Sequence, residues 1–268
     1  MRFRTSFLPP LLAATVVVAG LSAQERGAPR YLAAHLECAM FKESVRTVLR
    51  GESGTAAMRN AAGREGVLLV TVRDSAGALG LDAWYDSLTV WRGTDAGREI
   101  AGLERVLGGR YPGLLAPDGR YQALRLPFVP SEVADVADLA PVLEDFLPRL
   151  PGRELAVGAQ WTDSGFTIRR DRDHRAGGEA RHRYAWTVTS RHGDRYPAAD
   201  TLEVTVDQVV REEGQLLWSP TFGPLTWSRS IFVTARIPAT GGVRRSLRST
   251  IEQRIDVVRL FEPPPSCR

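Results

Sequence analysis

Asp163-Ser164-Gly165 carries the Asp-Ser/Thr-Gly core of the aspartic-protease signature. That chemistry needs two carboxylates about 3 Å apart sharing one proton, so a second copy is required. Asp74-Ser75-Ala76-Gly77 is the nearest, and Ala76 breaks it. Trp161-Thr162 before the motif and Phe166 after it also depart from the protease pattern, which makes a polar turn at a strand end the expected role. Asp171-Arg172-Asp173-His174, with His182 and His192, is a local set of metal-ligand types. A zinc site wants three or four ligands converging tetrahedrally. Arg170, Arg172 and Arg175 interleave with these and repel a cation, and Ala176-Gly177-Gly178 follows, so a solvated hairpin tip is expected. Gly51-Glu52-Ser53-Gly54 is one residue out of register with a nucleophile elbow. His35 lies in an apolar run and is read as a packed side chain. No phosphate-binding glycine motif occurs, and Lys42 is the only lysine. No catalytic residue, cofactor or metal is assigned, and a hydrolase built on Asp163 or on Asp171–His174 is the remote alternative.

Two other residue types remain. Trp84, Trp91, Trp161, Trp186, Trp218 and Trp227 can stack on ligands or fill a core. Large antiparallel sheets use indoles mainly as core, with Trp91 and Trp218, near strand ends, expected to be the more exposed. Cys38 and Cys267 are the only cysteines, and in an oxidising compartment they are a disulfide candidate. Closing so long a loop restricts the unfolded chain by about 4–5 kcal/mol in the chain-entropy model. Pro263-Pro264-Pro265, which can hold the tail away from the fold, opposes the pairing.

The start of the chain bears on the compartment. Arg2 and Arg4 precede an apolar run from Leu8 to Ala19, and Leu21-Ser22-Ala23-Gln24 ends in a small residue suited to a signal peptidase. The run is shorter than the ~20 residues of a membrane span. Gln24 stands where a lipoprotein has its lipid-bearing Cys. The expectation is a bacterial periplasmic or secreted protein, not lipid-anchored, without a transmembrane segment after cleavage. The formal charge of +4 includes Arg2 and Arg4, so it falls to +2 without residues 1–23. Basic residues do not alternate with aromatics as single-strand binders require, so no nucleic-acid partner is expected.

Period-two patterning dominates what must position any site. Leu247, Ile251, Ile255 and Val257 share a face with Ser249 and Gln253, opposite Arg248, Thr250, Glu252, Arg254 and Asp256. Alternation of this kind marks a strand with one dry side. Ile231, Val233, Ala235 and Ile237 repeat it, as do Leu202, Val204 and Val206, and Tyr184, Trp186 and Val188. Hairpin turns are expected at Glu213-Gly214 and Gly241-Gly242. In the first half, Val67–Val72, Leu79–Trp84 and Leu88–Trp91 read as strands separated by Asp74–Gly77 and Asp86-Ser87. Pro117-Asp118-Gly119 reads as a turn between Tyr111–Leu115 and Tyr121–Leu126. Residues 31–50 fit either a long strand or a helix, and Ala56–Ala62 a short helix or a loop. Ser131 is the expected N-cap of a helix over 131–147, with Val133, Val136, Ala137, Ala140, Leu143, Phe146 and Leu147 on one stripe and either a kink at Pro141 or two short helices. The organisation expected is a signal peptide at 1–23, a β-rich half at 24–130, a connecting helix at 131–151, a β-meander half at 152–262 and a tail at 263–268.

The junction of that helix, Leu150-Pro151-Gly152 and then Val157-Gly158-x-x-Trp161-x-Asp163, resembles one found in uncharacterised secreted bacterial β-rich proteins. Those are similar in outline to the half-barrels of periplasmic lipoprotein carriers. The resemblance covers about 25 residues by motif and carries no catalytic residues. The fold class expected is mainly β (α+β): a large curved antiparallel sheet in two halves, with the kinked helix packed on the concave face. Trp186, Trp227, Val136, Leu139, Leu143 and Phe146 would line a ligand face or cavity there. The function expected is non-enzymatic binding of a lipid or other hydrophobic small molecule, with an envelope structural or protein-interaction module as the alternative.

Overall fold

The computed structural model describes residues 27–53, 56–75, 77–93, 102–199, 202–237 and 246–262. The expected signal peptide at 1–23, Gln24, the turn expected at Gly241-Gly242 and Cys267 lie outside these residues. A short helix, α1 (Ala33–Leu36), leads into β1 (Ala39–Ser53), β2 (Ala56–Ser75) and β3 (Ala78–Arg92). Then come β4 (Tyr111–Leu115), β5 (Tyr121–Ala123) and α2 (Ser131–Ala134), followed by β6 (Gln160–Asp163), β7 (Phe166–Arg170) and β8 (His174–Ala176). Four long strands follow: β9 (Glu179–Ala199), β10 (Leu202–Ser219), β11 (Gly223–Ile237) and β12 (Leu247–Leu260).

The strands make one 12-stranded sheet in the order β5-β4-β3-β2-β1-β12-β11-β10-β9-β7-β6, with β8 added beside β9. Neighbours are antiparallel throughout, and β1 pairs with β12, which joins the first and second halves of the chain in one sheet. The protein is mainly β, as the alternation predicts.

Register sorts the side chains into two faces. Phe41, Val45 and Leu49 of β1 share one face with Ile255 and Ile251 of β12 and Leu68 of β2. The same face continues through Trp227, Ile231 and Val233 of β11, Leu216 and Val210 of β10 and Trp186 of β9. Residues 124–159, which connect β5 to β6, cross this inner face, and Val133, Leu139, Phe146 and Leu150 are buried there. The rings of Phe41, Phe146 and Trp227 meet edge to face, with centroids 5.3–5.8 Å apart.

The connecting segment is not one long kinked helix; it comes nearer the alternative of two short helices. It is a single helical turn at Ser131–Ala134 and a 3-10 turn at Val142–Glu144, joined by irregular chain. Pro130 occupies the N-cap and offers no side-chain cap, while Ser131 Oγ donates to Glu132 instead. Pro141 removes a donor from the middle. One turn cannot repay helix nucleation, so burial of the apolar residues, rather than helix propagation, holds the segment.

Three local expectations also change. Residues 56–62 are strand. Asp86-Ser87 does not separate two strands, because β3 runs through and the register shift opposite Val67/Leu68 absorbs Asp86 as a bulge. Glu213-Gly214 is not a turn, since β10 continues to Ser219. Gly214 is needed for another reason: the Trp186 ring lies across it, and a Cβ would sit 2.0 Å from Cζ2. Gly214→Ala should therefore cost about 1–3 kcal/mol through overpacking. A lowered urea midpoint with altered Trp emission is expected; an unchanged midpoint would contradict the ring placement.

Candidate functional site: the uncovered end of the inner sheet face

Strand length creates the site. The long strands run 14–21 residues, roughly 45–70 Å at strand rise, and residues 124–159 cover only part of that length. Reading along β11, Trp227 is buried at 3% exposure, while Ile231, Val233, Ala235 and Ile237 are only half-buried. Three successive cross-strand rows lie beyond the cover. The first holds Leu49, Ile251, Val233 and Val210, and the second holds Gly51, Ser249, Ala235 and Gln208. Leu247, Ile237 and Val206 make the third, at the strand ends.

These rows line a cleft of about 420 Å³ whose walls include Met58, Val206, Ala235, Ile237 and Leu247. Met58 is on β2 and Val206 on β10, four strand spacings apart, or roughly 19 Å along a flat sheet. That both line one cleft requires the sheet to curl towards this face, so the inner face is the concave one. The cleft lies within the 300–1,000 Å³ range of small-molecule sites.

A belt of polar groups crosses the inner face, from the Trp227 row at Glu43 to the Ile231 row at Gln253 and Glu212. On one side Glu43, 1% exposed, accepts from Arg64 Nε at 2.7 Å and from the Tyr85 hydroxyl. In the middle Gln253 Nε2 donates to Thr47 Oγ1 at 3.1 Å. On the other side Trp186 Nε1 donates to Glu212 at 2.9 Å, and Arg229 lies 3.7 Å from Glu212 and 4.0 Å from Asp145. Burial, then the Glu43 charge, pushes the Tyr85 hydroxyl well above the usual phenol range, so it stays a donor. Each buried charge thus has a partner, which is the condition for tolerating it at all.

Of the residues expected to line a ligand face, Leu139, Leu143, Phe146, Trp186 and Trp227 are buried in the covered half, and Val136 packs half-buried against them. Phe146, Trp186 and Trp227 also line a second cavity of about 330 Å³ at the edge of the cover, together with Glu212, Arg149 and Arg229. The residues of the open cleft are not distinguished by type or motif in the sequence, although the alternation through Ile237 and Leu247 is the signal for them.

The remaining chemical groups take structural positions. Asp163-Ser164-Gly165 is the turn between β6 and β7, with positive φ at Ser164 and Gly165, the geometry of a type I′ hairpin. The Ser164 hydroxyl and the Arg149 guanidinium hold the Asp163 carboxyl below its ordinary range. Asp173 and His182 meet around Arg170, which donates 2.9 Å to Asp173 and 2.7 Å to the Leu155 carbonyl. Among the described residues no group of three metal-ligand types converges. His35 is 3% exposed, hydrogen-bonds the Pro220 carbonyl and meets Trp218 edge to face. Trp218 is itself 2% exposed, contrary to the exposure expected of it, because α1 covers that strand end. Trp91 stays half-buried over Gly63.

No family profile and no curated protein sequence matches the chain. Among solved structures the chain is similar to lipovitellin, described for its lipid–protein interactions, at 10% identity and TM-score 0.47 over 86% of this chain. The chain spans 26% of the length of that one. It is also similar to a DUF1329 family protein from Desulfovibrio piger, at 9% identity and TM-score 0.24 over 82% of this chain and 85% of the other. A LolA superfamily protein from Nitrosomonas europaea gives 10% identity and TM-score 0.19 over 93% and 97%. The likeness to lipoprotein-carrier-like half-barrels is loose, and nothing about ligand or activity follows from it. No helix among the described residues is long and apolar enough to cross a membrane.

Proposed function

We propose that the chain is a non-enzymatic binder of a hydrophobic ligand, holding one acyl chain of a lipid or a molecule of that shape in the open concave cleft. The observation that carries this reading is the run of half-buried apolar side chains beyond the cover, on the same face that is fully packed beneath it. Leaving that surface to water costs about 25 cal/mol per Å², and a ligand is what would remove it. The length fits as well. Ile231 to Ile237 on β11 spans roughly 20 Å at strand rise, close to an extended long acyl chain.

The test is native mass spectrometry of protein purified without detergent, followed by lipid extraction. A bound species that is released by organic solvent and identified as a lipid is expected. A clean apo mass, with no uptake of an added long-chain fatty acid, would overturn the reading.

The protein of this reading is exported, as residues 1–23 predict, and is closed by a Cys38–Cys267 disulfide. Cys38 sits between α1 and β1 with φ 51°, and Cys267 lies outside the described residues. Thiol titration of denatured, unreduced protein should find none, and two after reduction. Two thiols before reduction would rule the disulfide out. The alternative of an envelope interaction module predicts co-purifying protein rather than lipid.

A further inference from the structure

The mouth of the cleft is bordered by exposed arginines at the strand ends. On the convex face at the same strand ends, Arg236 of β11 stands directly opposite Arg248 of β12, and Arg50 of β1 directly opposite Arg59 of β2. Like charges directly opposite in an antiparallel pair destabilise it. Arg50 is neutralised by Glu252 at 2.7 Å. Glu52 and Asp207 flank the row as register partners of Arg248 and Arg236. No ion pair forms to Arg59, Arg236 or Arg248 among the described residues. All three are exposed. Beside them on the rim, Met58 and Leu247 are exposed at 58% and 39%.

We propose that this end of the sheet docks on an anionic bilayer surface, with Met58 and Leu247 entering the interface and Arg59, Arg236 and Arg248 facing lipid phosphates. The proposal rests on the reading of the cleft as an acyl-chain site, because docking there puts the cleft mouth against the lipid it would load or release. Three points select a bilayer over other occupants. Among the described residues Arg59, Arg236 and Arg248 form no ion pair, and Met58 and Leu247 are walls of the cleft that are themselves exposed at its mouth; the cationic, apolar edge is thus continuous with the cleft. An arginine near an anionic surface and an apolar side chain entering the boundary are the two components of interfacial binding.

Sedimentation of the full chain with vesicles tests it, using phosphatidylcholine alone and phosphatidylcholine with one quarter phosphatidylglycerol, at low and high salt. Binding to the anionic vesicles is expected, weakened by salt as surface electrostatics require and lost from the neutral ones. Arg59→Gln with Arg236→Gln should weaken it about thirty-fold, while uptake of a fluorescent fatty acid in the absence of vesicles stays unchanged. No binding to either vesicle, or equal binding to both, would overturn the proposal; the first result would favour an acidic protein surface as the partner. If vesicle binding fails while fatty-acid uptake persists, the docking is wrong and the cleft stands. Vesicle binding without uptake would leave the docking in place and remove the acyl-chain site.

Discussion

Ala235→Trp is expected to reduce acyl-chain binding about a hundred-fold or more while leaving the folded state as stable as the wild type. Ala235 sits in the middle row of the cleft, between Ser249 of β12 and Gln208 of β10, and is half-buried with no covering segment among the described residues. An indole there projects into open space rather than into a packed core, so overpacking does not apply. It would exclude several methylenes of a ligand, each contributing about 0.8 kcal/mol. Thr234→Trp is the control. Successive strand residues point to opposite faces, so the same bulk one position earlier lands on the convex face and should leave binding intact. Titration with a fluorescent fatty acid reads both variants. Equal loss in both, or loss in neither, would mean that the concave rows do not hold the chain.

Glu43→Ala should destabilise the fold by about 3–5 kcal/mol, the cost of removing one partner from a buried ion pair. Glu43 is 1% exposed and Arg64 12%, and the Tyr85 hydroxyl donates to the same carboxylate. Truncation strands both donors away from water. The pair bridges β1 and β2 on the inner face, with Tyr85 reaching across from β3, so three strands feel its loss. Replacing both charges, as Glu43→Leu with Arg64→Met, should recover part of that loss, because no charge is then left unpaired while the Tyr85 hydroxyl still lacks its acceptor. Urea unfolding of the single and double variants measures this. A double variant as unstable as Glu43→Ala would point to packing rather than to the stranded charge.

Legibility in the sequence follows period. Leu247–Val257 alternates cleanly and forms most of β12; Ile231–Ile237 does the same in β11. The Pro117-Asp118-Gly119 turn also stands where its residues require it, between β4 and β5. Where tertiary packing overrides local chemistry, the sequence misleads. Glu213-Gly214 has the composition of a turn, but Gly214 serves a ring from the neighbouring strand, and nothing in its own neighbourhood reveals Trp186. The stripe at 131–147 has helical spacing, yet Pro130 at its start and Pro141 in its middle leave burial as the main force on it. Val133, Leu143, Phe146 and Leu147 of it are buried all the same, since burial depends on composition more than on helix. The polar belt is the least visible feature. Glu43 and Arg64 are ordinary surface types, 21 positions apart, and only the register of β1 against β2 brings them together. The cleft is half visible: the sequence tells which face is dry, but not how much of it the connecting segment covers.

The position of a bound chain on the sheet decides whether the open cleft is the ligand site. Photolabelling with a long-chain fatty acid bearing a diazirine near its methyl end, followed by peptide mapping, locates it directly. The result expected is label on residues of the concave rows, within 47–53, 206–210, 231–237 and 247–253. Label confined to the exposed Leu124, Leu126 and Phe128 beyond β5, or spread evenly over the surface, would contradict a binding site on the uncovered end of the inner face.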